Sequence, residues 1–432
     1  MNVCVLGLWH LGTVTAACLA AGGHEVTALD FDAAVVAGLS SGKPPVSEPG
    51  LEDLVKAGLT SGHLRFTTDV GDAAKAADLV WVTYDTPVDD DDRADVELVV
   101  ELTRRLFPHL CDGAVVLVSS QLPVGTTRRL EQIFASESRG RTVGFACSPE
   151  NLRLGRAIDV FTHPDRVVAG VRSETDRPKV AELFRPFTDH IEWMSVESAE
   201  MTKHALNAFL ATSVTFINEI AAICEQVGAD GAEVERGLKS EARIGPKAYL
   251  SPGGAFAGGT LAREIVFLSQ LGQAHGVATL LLSSVKASND AHRQWAQHRL
   301  LQLLDGVAGR TVAIWGLTYK PDTDTLRRSS AVELCRWLSE QGATVRAHDP
   351  AVKLLPPDVA WCARLADSPL DAVTSASALV VATPWPEYRQ VPAADVTARM
   401  TRALVLDANR FLGSTLGQNA AVEYLSVGKA SA

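Results

Sequence analysis

The opening thirty residues constrain the fold more tightly than any other stretch. "NVCVLGL" reads as a short apolar strand, "WHLGTVTAACLAAGG" as a small-residue helix stopped at Gly22-Gly23, and "HEVTALDFD" as a second strand ending in acid. Strand, glycine turn, helix and strand in that order form a βαβ unit, whose two strands must run parallel. Parallel sheets need helices on both faces, so the pattern predicts a doubly wound α/β domain. Further strand-like runs follow at "ADLVWVTYD", "AVVLVSS" and "TVGFACS". The same opening restarts at "GRTVAIWGLTYKPDTDTLRRSSAVELCRWLSEQGATVRAHDP", which predicts a second α/β region. Between the two, "SVESAEMTKHALNAFLATSVTFINEIAAICEQVGAD" keeps apolar residues at helical spacing throughout, longer than the usual helix of about 8 to 20 residues.

Composition narrows the function classes. The 432 residues are 47% apolar and 21% charged, enough for two or three domains with their own cores. A net charge of −11 argues against nucleic acid or an anionic membrane as partner, but permits a local basic pocket. No run of about 20 apolar residues stands out, and the N-terminus lacks a basic region with an apolar core and cleavage site. Neither a membrane span nor a signal peptide is expected. Seven irregularly spaced cysteines without a C-x-x-C pair predict reduced thiols in a cytoplasmic protein, with no metal site.

"GLWHLG" (Gly7, Leu8, Trp9, His10, Leu11, Gly12) occupies the place of a dinucleotide-binding glycine motif. Gly7 suits the tight turn and Gly12 the close packing of helix on strand, while Trp9 replaces the middle glycine. Trp9 either crowds a pyrophosphate or points aside while its backbone serves. Asp30 ends the second strand, where a carboxylate accepts hydrogen bonds from a ribose diol and repels a 2′-phosphate. The motif therefore favours NAD over NADP on a Rossmann-like domain.

Eight separated stretches then fall into one order: "PPVSEPGLEDLV", "DTPVDDDDRADVELV", "QLPVGTT", "SPENLRLG", "KHALNAFLATSVTFINEI", "ARIGPKAYLSPGGAFAGG", "YKPDTDTLRRSSAVEL" and "ATPWPEY". Together they resemble the UDP-glucose/GDP-mannose dehydrogenase family over nearly the whole chain. The resemblance implies two Rossmann-like doubly wound domains joined by a central helical dimerisation region with a long helix. The expected boundaries are 1–194 for NAD, 195–304 for the helical region and 305–432 for the nucleotide-diphosphate sugar. It implies a homodimer and oxidation of a sugar C6 alcohol to the acid in two hydride transfers, through a cysteine-bound intermediate.

The resemblance also distributes roles. Lys203 and Asn207, four apart on one helix face, would hold the oxyanion at C6. Glu150 in "SPENL" would act as acid, base or water-positioning group, with Leu152 beside the sugar. Arg243 would reach the partner subunit's sugar. Tyr249, Ser251, Gly253, Phe256 and Gly258 would cradle the pyrophosphate and sugar, and Tyr319 and Lys320 would lie near the sugar ring. Thr86, Pro87, Gln121, Arg263 and Arg327 fall at positions the family uses around NAD.

Departures bear on the chemistry. Where the family's loop reads F-G-G-S-C-F-P-K-D, this chain has Phe256-Ala257-Gly258-Gly259-Thr260-Leu261-Ala262-Arg263-Glu264. The nucleophilic cysteine is Thr260, and lysine and aspartate become Arg263 and Glu264. Gln121 replaces a threonine, Leu154 a glutamate and Asn409 an arginine. A threonine hydroxyl is a far weaker nucleophile than a thiol without a dedicated base, so the second oxidation is expected to be impaired or absent. Cys147, three residues before Glu150, is a candidate replacement nucleophile. The alternatives are a redox-neutral epimerase with tightly held NAD, a full four-electron dehydrogenase, and a non-catalytic nucleotide-sugar binder.

Overall fold

A computed structural model describes residues 1–86, 95–138, 140–150, 152–257 and 259–429. They form two compact units, Met1–Ala205 and Leu206–Ala432.

The first unit is built on eight strands: β1 (Asn2–Leu6), β2 (Glu25–Leu29), β3 (Leu64–Thr67), β4 (Leu79–Val82), β5 (Val115–Val118), β6 (Gly144–Cys147), β7 (Val167–Val171) and β8 (Ile191–Met194). Their order is β3-β2-β1-β4-β5-β6-β7-β8, parallel throughout except for the β6–β7 pair. Residues of one strand alternate between two apolar layers. Val3 and Val5 join one layer, and Cys4 and Leu6 the other. Both faces are therefore buried, which is why these strands read as unbroken apolar runs rather than alternating ones. The strand order reverses between β1 and β4, and the chain leaves β1, β4, β5 and β6 at the same carboxyl edge, the usual place for a ligand in such a sheet.

The long helix expected in the middle spans Val196–Val227, 32 residues. One window of it has a mean hydropathy of 1.4, long and apolar enough by composition to cross a membrane. Its polar side chains are nonetheless tied into protein. Glu200 accepts from Gly125 N–H, and Asn218 from Gly253 N–H. That is the wiring of a core helix rather than a lipid-facing one. Phe209, Phe216 and Ile223 follow at seven-residue intervals and are 70%, 46% and 57% exposed.

In the second unit, helices Gly231–Ser240, Thr260–Ala274, Leu280–His292 and Trp295–Leu304 precede six strands, β9 (Thr311–Trp315), β10 (Thr344–His348), β11 (Arg364–Leu365), β12 (Ala378–Val381), β13 (Leu404–Leu406) and β14 (Glu423–Leu425). This sheet is wholly parallel in the order β11-β10-β9-β12-β13-β14, the same winding as the first six strands of the first unit. Val312 and Ile314 face one apolar layer, Ala313 and Trp315 the other. The restart of the strand–turn–helix pattern thus marks a second doubly wound sheet.

Glu197, in the first turn of the long helix, is gripped by Arg172 and Arg128, each at 2.6 Å. Arg172 above all holds its carboxyl down to about 2, against an ordinary 4.5. A depressed carboxylate contributes stability above its unfolded value and loses it as pH falls through the folded one. Glu197→Gln should therefore cost about 1–3 kcal/mol near neutrality. In urea unfolding at several pH values, the gap between wild type and variant should close as pH falls from 4.5 towards 2. A gap independent of pH would show that the ion pair contributes nothing.

Candidate active site

The glycine loop leaves β1 at Gly7, whose φ of 93° is left-handed. A Cβ on Gly7 would lie 2.7 Å from the Tyr84 ring, and one on Gly12 only 1.7 Å from the Gly7 carbonyl oxygen. Helix and strand touch backbone to backbone here, so both expected glycine roles are realised. Trp9 is 53% exposed. It provides no side-chain cap for helix His10–Ala21, and the first turn carries no acid of its own. Leu8 and Leu11 are buried, so only their backbones face a ligand.

Asp30 does more than await a ribose. Its two oxygens accept from Leu8 N–H at 2.7 Å and Asp32 N–H at 2.9 Å, locking the loop to β2 while leaving lone pairs for a diol. These residues fit a dinucleotide. Thr86 donates its hydroxyl to the Gln121 carbonyl at 2.9 Å, joining the turns after β4 and β5. Pro87 lies outside the described residues.

The second group sits where β5 and β6 end against the long helix. Gln121, Cys147, Glu150, Glu200, Lys203 and His204 surround a cavity of about 20 Å³, the size of one water. Lys203 Nζ donates to the Glu150 carbonyl at 2.6 Å and lies 3.4 Å from its carboxylate. Leu152 N–H donates to the other carboxylate oxygen at 2.6 Å, so the Glu150 side chain is held from two sides. Leu154 is exposed. One turn beyond Lys203, Asn207 is 6% exposed and its Nδ2 has no hydrogen-bond partner among the described residues. A buried amide donor without an acceptor is costly. It is the group one expects where a ligand oxygen completes the site.

Cys147 does not suit a nucleophile. It is buried at the end of β6, and burial, reinforced by Glu200, pushes its thiol far above the ordinary range. The thiolate is the reactive form, so this cysteine is inert.

In the second unit, one loop carries Gly253 and Phe256, two of the expected substrate residues. Gly253 N–H donates to Asn218 Oδ1 at 3.0 Å, and Gly254 N–H to Asn409 Oδ1 at 2.9 Å. His292 donates a ring N–H to the Gly253 carbonyl at 2.8 Å, and burial lowers its pKa, favouring the neutral ring. The Asn289 side chain accepts from Phe256 N–H and donates to Phe256 C=O, both at 3.0 Å. A Cβ on Gly253 would lie 2.4 Å from Asn409 Oδ1, so this glycine admits its anchor. Asn409, expected from the sequence to stand in the place of an arginine, is here a loop fastener.

Phe256, Tyr319, Lys320 and Asn409 line one cavity of about 890 Å³, with Lys286 and Trp295. Thr260 is exposed and opens the helix Thr260–Ala274, which also carries Arg263 and the buried Glu264. The expected residues outside this cavity lie elsewhere. Ser251 donates to Glu235 at 2.6 Å, Arg243 pairs with Glu241 at 3.0 Å in solvent, and Tyr249 is exposed. Arg327 precedes Arg328, a non-glycine residue at φ 60°. Gly258 lies outside the described residues.

Glu48, Glu200, Asn218, Asn289 and His292 were not singled out from sequence. Glu48 accepts from Gly155 and Ala157 N–H, at 2.8 Å each, and sits 2.9 Å from the His10 ring. Burial opposes its charge, but these three contacts prevail and hold its pKa below the usual range. The available signal was an amide or acid inside an apolar-periodic run, as with Asn218 in "VTFINEI".

Models of the UDP-glucose/GDP-mannose dehydrogenase family match in three places: the NAD binding domain at residues 1–188, the central domain at 197–291 and the UDP binding domain at 313–414. The UDP-glucose 6-dehydrogenase of Pseudomonas aeruginosa is 35% identical over 421 residues, covering 94% of this chain and 93% of that one. A Bacillus subtilis UDP-glucose 6-dehydrogenase is 34% identical over 436 residues, covering 99% and 98%. The solved UDP-glucose dehydrogenase of Pyrobaculum islandicum matches with a TM-score of 0.86 at 29% identity, covering 99% of this chain and 98% of that one.

Asn289→Ala strands the partly buried N–H and C=O of Phe256 and should destabilise the protein by about 1–3 kcal/mol in denaturant unfolding. A loss below about 0.5 kcal/mol would mean that the loop is fastened without it.

Proposed function

Since the chain belongs to the UDP-glucose/GDP-mannose dehydrogenase family, we propose that this NAD-dependent enzyme oxidises the C6 alcohol of a nucleotide-diphosphate sugar only as far as the carbonyl. What supports this reading is Thr260, which falls where the family resemblance puts the nucleophilic cysteine. NAD, when bound, supplies the hydride acceptor. The balance is alcohol plus NAD⁺ to aldehyde plus NADH plus a proton: the C6 C–H electron pair leaves with its hydrogen, and the hydroxyl proton is lost.

This chain's residues suit that step. Lys203 and Asn207 place an ammonium and an unsatisfied amide donor on one helix face, where a developing alkoxide needs both. Glu150, braced by Lys203 and Leu152 N–H, stands as the acid–base group. Going on to the acid requires a nucleophile that captures the aldehyde. Thr260 is a hydroxyl with a far higher pKa than a thiol, and Cys147 is silenced by burial.

UDP-glucose is the first substrate to try, because the relatives in P. aeruginosa and B. subtilis are UDP-glucose 6-dehydrogenases. We read the chain as three regions, 1–194, 195–304 and 305–432, in a cytoplasmic homodimer. The exposed stripe of Phe209, Phe216 and Ile223 repeats every seven residues, the spacing by which one helix packs on another.

Incubation with NAD and a panel of UDP- and GDP-sugars should give one NADH per sugar and an aldehyde by mass. Two NADH and an acid would sink the two-electron reading. An isomer without net NADH would mean epimerisation, and sugar binding without turnover a non-catalytic binder. Thr260→Cys should gain acid formation. Light scattering should show a dimer, and Phe209→Asp combined with Ile223→Asp should give a monomer; an unchanged mass would remove this stripe from the interface.

A further inference from the structure

Three segments far apart in the chain meet at one buried carboxylate. Glu48 precedes helix Leu51–Ser61, and its side chain is only 1% exposed. Oε2 lies 2.9 Å from Nε2 of His10 and accepts from Gly155 N–H at 2.8 Å, and Oε1 accepts from Ala157 N–H at 2.8 Å. An ionised carboxylate only accepts, so the His10 ring presents an N–H to it. Burying a carboxylate is costly unless several donors hold it, and these three do. Fastening the turn at Gly155 needs only the two backbone donors. The third contact, to His10, reaches across to the other half of the site.

The two ends of this bridge have different tasks. His10 is the first residue of the helix that follows the glycine loop. Gly155 and Ala157 close the segment that carries Glu150 and Leu152, whose N–H donates to the Glu150 carboxylate at 2.6 Å. Beneath the bridge, Leu152 and Ala157 share an apolar cluster with Val14 and Ala17 of the glycine-loop helix and with Leu51 and Val55. Apolar packing is non-directional, so it brings the segment close without fixing its register. Hydrogen bonds from one carboxylate fix it.

We propose that Glu48 is a positioning residue that couples the cofactor loop to the Glu150 segment, so that NAD on the glycine loop orders the segment that meets the sugar. The proposal rests on Glu150 as the acid–base group, and it is independent of how many electrons are transferred. NAD restrains His10, the ring restrains Oε2, and Oε2 restrains Gly155 N–H. Binding linkage is reciprocal, so the sugar tightens NAD by the same factor.

Hydrogen exchange followed by mass spectrometry tests this on the whole chain without turnover or sugar. Each protein is compared with and without NAD at about ten times its own Kd, set by calorimetry, so that occupancy is matched. In wild type, NAD should slow exchange of the peptide covering 152–157 by about threefold or more. Glu48→Gln keeps the shape but turns an amide N–H₂ toward a donor. Without NAD, its 152–157 peptide should exchange about tenfold faster than that of wild type. His10→Ala leaves both backbone bonds to Glu48, so its exchange without NAD should match wild type, while the slowing by NAD should vanish. This second variant decides the matter even where Glu48→Gln fails to fold. Absence of any NAD effect on the peptide in wild type would overturn the proposal. So would slowing by NAD that persists in His10→Ala, which would assign the coupling to the apolar cluster and leave Glu48 a fastener.

Discussion

Parallel strands send the chain out of a sheet at one edge, and that constraint places the chemistry of both units. In the first, the turns after β1, β4, β5 and β6 carry Gly7, Asp85, Gln121 and Glu150 to the same edge. The geometry holds only because helix His10–Ala21 approaches β1 at backbone contact, which Gly12 alone among the residues permits. A side chain there would lift the helix, and the donors at its N-terminus would move with it.

Loops on such an edge have little apolar surface of their own, so buried polar groups fasten them. Glu48 gathers the His10 ring and the N–H groups of Gly155 and Ala157. Glu200 gathers the N–H groups of Gly125 and Thr127 at the start of helix Thr126–Glu137. In the second unit, the amides Asn218, Asn289 and Asn409 and the ring of His292 do the same for the loop Gly253–Phe256. An amide side chain offers both a donor and an acceptor, so Asn289 satisfies both backbone groups of one residue. The loop that leads to Thr260 is therefore fastened by side chains distant in sequence.

Much of this was legible in the sequence. The βαβ opening and its restart predict both doubly wound sheets, and the uninterrupted apolar period predicts the long helix, because periodicity reports directly which faces are buried. The roles of Gly7 and Gly12 follow from motif spacing. The fasteners did not, because a glutamate such as Glu48 in "SEPGL" reads as an exposed acid until the chain brings it to Gly155, over a hundred residues away. Asn409 reads as a lost substrate contact and turns out to hold Gly254, for the same reason.

By itself, then, the sequence determined the two windings, the central helix and the family, all of which are local patterns or motif order. Tertiary structure alone decided that Cys147 is buried and inert, and that Asn207 keeps a donor without a partner among the described residues. Burial, desolvation and hydrogen-bond satisfaction depend on atoms distant in the chain, and they exist only once the strands have paired.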